Sequence, residues 1–475
     1  MINQSEFIQS FKSNLGFPPT LDQDSAIKKI TNFAFNLSDL DLFILKGYAG
    51  TGKTSLMGAL VKTLNSCKIK SVLLAPTGRA AKVLSYFTNK ETSTVHRKIY
   101  FKNEMAGEDG FILGENKHTN TLFIIDEASM IGGQQSLESG FQRNLLDDLI
   151  EYVYSGNNCK LIFVGDTGQL PPVGTAQSPA LSQDYLRRCY SLDIFESTLA
   201  QIVRQEDASG IVLMANQLRY FKPDFEGLID NKRDTFFLSG MELQDTLDSA
   251  YSNYGNDEVM VITRSNKRAN LFNQQIRHRI LWQEDDLNAG DVLMCTRNNY
   301  FWLDPKSPAG FIANGELMTI KKVVRREEIY GFEFADVIAT LIDYPEMKEI
   351  EVKIMVSSIM DEGPSLSRDK MKELFLRIAA EEYPLERNKK IRNRKVMTNP
   401  YFQALQVKFG YAVTCHKSQG GQWAAIFVDH GYFVDDMWDE EYMRWLYTAI
   451  TRSTDKLYLV NFNPFFKFDK TEDEF

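Results

Sequence analysis

Cysteine is scarce in this chain of 475 residues: Cys67, Cys159, Cys189, Cys295 and Cys415 lie far apart, with no C-x-x-C pair among them. That spacing argues against a disulfide framework or a zinc site and fits a reducing compartment. Long hydrophobic runs are missing too. No segment approaches the ~18 uninterrupted apolar residues a membrane helix needs, and the polar start "MINQSEFIQS" does not read as a secretory leader. No membrane partner is expected, and the expected location is the cytoplasm. Positive charge is in deficit, with a formal net charge of −9. This decides little about polyanionic partners, because binding to phosphates depends on where basic residues sit. Repeats and low-complexity tracts are absent, and only the acidic end "KTEDEF" reads as frayed.

What is present is a globular composition, 43% hydrophobic and 25% charged, and enough length for about three domains. Short apolar runs alternate with helical patterns, the signature of buried parallel strands in an α/β protein. One set of strands reads at 42–46, 71–75, 122–125 and 161–164. A second set reads at 259–263, 410–414, 425–428 and 456–460. Two sets imply two parallel-sheet domains, the first over 1–190 and the second over 191–287 and 401–475. Residues 288–400, rich in β-branched residues and turns, read as a small barrel-like β domain inserted into the second.

Three stretches carry chemistry. "GYAGTGKT", Gly47 to Thr54, matches G-x-x-x-x-G-K-[ST] directly after a strand and before a helical pattern, the context that confirms a phosphate loop. Backbone N–H groups over Gly47, Ala49, Gly50, Thr51, Gly52, Lys53, Thr54 and Ser55 are expected to cradle a nucleotide. Lys53 would reach the β/γ-phosphates and the Thr54 hydroxyl would ligate Mg²⁺. "TLFIIDEASM" delivers Asp126 and Glu127 to a strand end, Asp126 for Mg²⁺ and Glu127 to orient and deprotonate the attacking water. In "LIFVGDTGQLPPVG", Gln169 sits in a turn closed by Pro171 and Pro172, where an uncharged amide can register a γ-phosphate without neutralising it.

In chain order, "APTGRAAKVL", "IIDEAS", "GDTGQLPPVG", "VTCHKSQG" and "YTAITR" resemble the motifs of superfamily 1 DNA helicases, and most closely the RecD/Dda-like group that moves 5′ to 3′. The resemblance spans residues 20 to 452. It implies two RecA-like domains, an SH3-like barrel in the second, ATP with Mg²⁺ as cofactors, and single-stranded and tailed duplex DNA as partners. It also implies a monomer, associated with the nucleoid, with a single-strand-binding protein or recombination machinery as further partners. By the same resemblance Gln23 grips adenine, an amide being able to pair with its N6/N7 edge. Arg204 and Arg452 match arginines that reach the γ-phosphate, and Gln419 and Gly420 face the nucleotide. The nucleic-acid contacts it implies are Pro76, Thr77, Gly78, Thr94 and His96 in the first domain and Thr414, His416, Lys417 and Ser418 in the second. Neutral donors suit a motor, since a wall of lysines would hold the strand too tightly to release it.

Three further features are legible. "IYFKNEMAGEDGFILGENKHTN" reads as a β-hairpin at about 97–120 whose exposed aromatic, Phe101 or Phe111, would separate strands or else pack on its parent domain. The basic run Arg387, Lys389, Lys390, Arg392, Arg394 and Lys395 reads equally as a duplex contact and as a solvated face. Tyr300, Phe301 and Trp302 read chiefly as small-domain core. The rival readings are a single-strand translocase with little unwinding, a RecD-like subunit of a nuclease complex, and a metabolic kinase. No second acidic cluster of nuclease type is present, and a kinase needs no second α/β domain with its own arginines.

Overall fold

The computed structural model describes residues 3–36, 40–102, 111–132, 144–202, 209–220, 222, 225, 227–228 and 233–467. The chain groups into two compact units. One is Met1–Ile229 with Gln419–Gly421 and Asp436–Thr451; the other is Asp230–Ser418 with Gln422–Asp435 and Arg452–Phe475.

In the first unit α1 (Gln4–Leu15) and α2 (Leu21–Phe35) each start in a capping box, Asn3 with Glu6 and Thr20 with Gln23, which satisfies orphan N–H groups at both helix starts. Then follow β1 (Asp41–Gly47), α3 (Lys53–Ser66), β2 (Lys70–Ala75), α4 (Gly78–Thr88), β3 (Thr92–Thr94) and α5 (Val95–Ile99). The expected hairpin is present as β4 (Tyr100–Lys102) and β5 (Phe111–Leu113), antiparallel with Phe101 opposite Ile112. The remainder is β6 (Thr121–Ile125), α6 (Leu145–Tyr154), β7 (Lys160–Gly165), α7 (Gln183–Tyr190), β8 (Asp193–Leu199) and α8 (Gly210–Gln217). The six longer-range strands make one wholly parallel sheet in the order β3-β2-β6-β7-β1-β8. Alternate residues of β1, β6 and β7 enter two cores. Phe43, Leu122 and Ile162 pack under α1, α2 and α3, while Leu42, Phe123 and Phe163 pack under α5, α6 and α7. The first domain therefore runs beyond the boundary expected at 190. β8 pairs with β1 from Asp193 opposite Asp41 to Leu199 opposite Gly47, and its alternating exposure is that of an edge strand, easily read as a linker.

The second unit contains β9 (Thr235–Leu238), α9 (Leu243–Tyr254), β10 (Val259–Thr263), α10 (Asn266–Arg279), β11 (Val292–Cys295), β12 (Leu317–Ile329), β13 (Phe332–Leu341) and β14 (Ile350–Met355). It continues with α11 (Arg368–Glu381), α12 (Lys389–Met397), β15 (Leu405–Phe409), β16 (Ala412–Thr414), the single turn α13 (Cys415–Ser418) and β17 (Trp423–Asp429). After α14 (Glu440–Ile450), which groups with the first unit, β18 (Ser453–Val460) completes it. Its sheet is again parallel, β16-β10-β17-β18-β9, and β11 to β15 close into a barrel. Two expectations shift here. The barrel ends at Phe409 rather than 400, because β15 pairs with both β11 and β14. The insert is also not purely β: α11 and α12 cover Tyr330, Phe332 and Phe334 with Leu374, Ile378 and Val396.

Candidate nucleotide site and nucleic-acid edge

Strands β6, β7 and β1 are neighbours, so the loops leaving their C-terminal ends meet on one edge of the sheet, where ligands of α/β folds bind. The phosphate loop leaves β1 and enters α3. Gly50 and Gly52 adopt φ of 75° and 81°, a region costly for any side chain. A Cβ on Gly47 would stand 2.8 Å from the Lys53 side chain. The Lys53 ammonium is folded onto its own loop, donating to the carbonyls of Gly47 (2.6 Å) and Tyr48 (3.0 Å), and lies 3.5 Å from the Asp166 carboxylate. Thr54 and Ser55 follow in the first turn of α3.

Asp126 and Glu127 end β6. Glu127 takes φ of 51°, left-handed for a non-glycine residue, and its N–H donates to Asp126 Oδ1 at 2.9 Å. Burial, then the neighbouring Glu127 charge, push the Asp126 carboxyl up to about 7, while Lys53 pulls it down. The oxygen donors of Asp126 and Thr54 are of the kind Mg²⁺ takes. After β7, Gln169 is buried with its Oε1 lacking a partner, and its N–H donates to the Asp166 carbonyl at 3.4 Å.

Gln23 is wholly buried. Its Oε1 accepts from Thr20 N–H (3.1 Å), and its Nε2 donates to the Thr51 carbonyl in the phosphate loop (3.2 Å). The amide thus has one lone pair and one N–H in reserve, enough for one edge of a base. Gln419 donates to the Leu170 carbonyl at 2.7 Å, and Gly420, with φ of 74°, lies where a Cβ would be 2.8 Å from Thr77 Oγ1.

The same edge continues to β2 and β3. Pro76, Thr77 and Gly78 leave β2, the Thr77 hydroxyl capping α4 through Ala80 N–H. Thr94 ends β3, but it is buried and its hydroxyl accepts from Arg97 N–H, which makes it first a helix cap. His96 is half-buried, its imidazole 5.7 Å from the Tyr100 ring and pushed by burial down to about 4. In the second unit Thr414 ends β16 and α13 carries the rest. His416 is exposed, Lys417 donates to the Pro364 carbonyl (3.3 Å), and Ser418 is buried, its hydroxyl on the Cys415 carbonyl. Arg452 is buried in that unit. Its charge draws down the Cys415 thiol, which burial pushes up to about 12.

Arg204 lies outside the described residues, as does the turn of the hairpin. Phe101 is 53% exposed, with its ring over Gly114. The Phe111 backbone pairs with Lys102, while its side chain lies outside the described part. On α12, Lys389, Lys390, Arg394 and Lys395 are exposed, Lys395 paired with Glu386. Tyr300 stacks on Phe311 at 4.6 Å and Trp302 donates to the Gln403 carbonyl, so this cluster is largely packing.

Sequence reading missed three residues. Tyr447, on α14, touches the phosphate loop. Arg219 donates to the Ala49 and Ala200 carbonyls and lies 4.9 Å over the Tyr48 ring. Asn273, buried on α10, bonds Tyr411 and Ala412 at the start of β16. Arg219 and Asn273 belong to no quoted motif, and Tyr447, though it opens "YTAITR", acts across a long sequence separation that the motif does not reveal.

Fold and site together define a phosphate-loop protein with two parallel-sheet domains and an inserted barrel. Residues 21–233 match a family model described as AAA domain, and residues 409–460 match the UvrD-like helicase C-terminal domain. The chain is 26% identical over 295 residues to the ATP-dependent DNA helicase dda of Enterobacteria phage T4, which covers 58% of this chain and 62% of that protein, less than two thirds of its length. It is 35% identical over 136 residues to the ATP-dependent RecD2 DNA helicase of Deinococcus radiodurans, covering 28% of this chain and 16% of that one. A crystal structure of Pif1 helicase from Candida albicans superimposes with a TM-score of 0.48 at 17% identity, over 94% of this chain and 95% of that chain. Residues 21–233 and 409–460 thus resemble an AAA domain and a UvrD-like helicase C-terminal domain, and part of the chain is similar to two DNA helicases.

Proposed function

We propose that this chain is an ATP-driven DNA motor that tracks 5′ to 3′ along a single strand and unwinds duplex in replication, recombination or repair. The observation that carries the reading is the order of strand ends along one sheet. Phosphate loop, Asp166–Gln169 turn and Asp126–Glu127 pair leave adjacent strands, and Pro76–Gly78 and Thr94 leave the next two. Lys53 swings from its own loop to the β/γ-phosphates. Mg²⁺ held by Asp126 and Thr54 would neutralise charge on the same oxygens. Glu127 takes the proton of the attacking water, Gln169 senses the γ-phosphate, and Arg204 and Arg452 stabilise the charge that develops in the transition state. Gln23 reads adenine with its reserve N–H and lone pair. Thr414, His416, Lys417 and Ser418 share the strand with the first-domain contacts, and Gln419 and Gly420 report that grip to the nucleotide. The protein acts as a monomer, alongside single-strand-binding or recombination proteins, in the nucleoid-bearing cytoplasm. The test is strand displacement on 5′-tailed and 3′-tailed duplexes, with ATP turnover followed with and without single-stranded DNA. Unwinding confined to 3′-tailed substrates would overturn the polarity, and turnover indifferent to DNA would overturn the motor.

A further inference from the structure

Tyr447 lies on α14, is wholly buried, and packs its ring against Gly168, where a Cβ would stand 3.1 Å from the ring. Its hydroxyl makes two bonds of 2.7 Å: it accepts from the N–H of Ala49 in the phosphate loop and donates to Asp166 Oδ2 at the end of β7. Asp166 also accepts from Gly168 N–H at 2.9 Å, and its carboxylate lies 3.5 Å from the Lys53 ammonium. One phenolic oxygen therefore joins the loop backbone to the carboxylate that competes for the phosphate-binding lysine.

We propose that Tyr447 is a positioning residue for nucleotide binding: its hydroxyl fixes the loop at Ala49 and satisfies Asp166, so that Lys53 is free to leave for the phosphates. This rests on the reading of Gly47–Thr54 as the nucleotide site. Asp166 is almost completely removed from water, and a buried carboxylate that loses a donor draws harder on the nearest remaining cation. That cation is Lys53. Without the hydroxyl, nucleotide would have to break a stronger Lys53–Asp166 pair and order a looser loop before binding. Both costs fall on the bound ground state and the transition state alike, so they raise KM and leave kcat nearly unchanged. A tyrosine that merely fills the core would be replaced by phenylalanine without this effect, because the ring and its contact with Gly168 persist.

The experiment compares Tyr447→Phe with wild type in thermal unfolding, in affinity for a fluorescent ATP analogue, and in steady-state hydrolysis with single-stranded DNA present. The expected result is an unchanged melting temperature, a KM and a dissociation constant raised about tenfold, the scale of one charge-assisted hydrogen bond, and kcat within about threefold. The same substitution in an Asp166→Asn background should raise KM less than it does in wild type, since the part of the effect that runs through Asp166 is already gone and only the bond to Ala49 remains to be lost. Unchanged affinity, a loss in kcat alone, additive effects in the double variant, or a Phe variant that no longer folds would each overturn the assignment. Wild-type protein that binds no ATP analogue would instead overturn the nucleotide reading itself.

Discussion

The side-chain amide of Gln419 donates to the backbone carbonyl of Leu170 at 2.7 Å. Gln419 follows His416, Lys417 and Ser418 in sequence, the proposed strand contacts, and Leu170 follows Gln169, the proposed γ-phosphate sensor, so the bond links two segments assigned to different ligands. Gln419→Ala should keep DNA-free hydrolysis and DNA affinity but lose most of the stimulation of one by the other. Full stimulation in that variant would remove the bond from the coupling route.

Lys53 and Glu127 should separate binding from turnover. Lys53→Ala is expected to lose nucleotide affinity and hydrolysis together, because the charge on the phosphates goes. Glu127→Gln should bind ATP normally and slow hydrolysis by about 10²–10⁴-fold, since an amide cannot take a proton. Near wild-type turnover by Glu127→Gln would move the base elsewhere.

Arg452 and His416 should fail differently. Arg452→Ala is expected to cut DNA-stimulated hydrolysis by about 10³-fold or more while ATP still binds, as its proposed role in the transition state requires. His416→Ala, an exposed site, should weaken DNA binding and spare the low DNA-free turnover. The reverse pattern would exchange the roles.

For the hairpin, replacing residues 103–110 with a short Gly-Ser link together with Phe101→Ala should suppress unwinding. DNA-stimulated hydrolysis and single-strand translocation should persist. Equal loss of all three would make the hairpin a packing element, a role the contact of Phe101 with Gly114 also suits.

Acid should act through two histidines shielded from water, His430 fully and His96 in part. Burial pushes His96 and His430 down to about 4 from the ordinary 6.5. Their contribution is therefore full above 6.5 and is lost as pH falls towards 4. Asp126, pushed up to about 7 from 3.8, works the other way: it is protonated more readily when folded, so its contribution grows as pH falls through that window. Melting temperature measured from pH 7 down to 4.5 should fall more steeply for Asp126→Asn than for wild type. It should fall less steeply for His430→Phe, which keeps the aromatic packing around Phe462 and Phe466. An unchanged slope in the His430 variant would refute the assignment.

The eight strands read from sequence all occur, because most are short apolar runs buried on both faces, and the phosphate loop and Asp126–Glu127 sit where a strand end must put them. β8 was hidden by its half-exposed edge position, and β3 by its three-residue length. Helices α11 and α12 were masked by the β-branched stretch before them. Of the nucleotide site, the parts within one motif were legible. The role of Tyr447 was not, even though it opens "YTAITR", since an aromatic in an amphipathic helix reads as core and its partners lie about 280 to 400 residues away. Nor does sequence reveal that Thr94 spends its hydroxyl on a helix cap.

Gln23 closes the start of α2 and tethers Thr51 with the same amide. A mutation that altered base preference here would also unfasten a helix and loosen the loop beneath the phosphates. If Gln23 reads adenine as proposed, nucleotide choice and folding are inherited as one trait. On that role, a change of base preference would first require another partner for the Thr20 N–H and the Thr51 carbonyl. Selection on foldedness alone would hold this glutamine in place even where the cell offered other nucleotides.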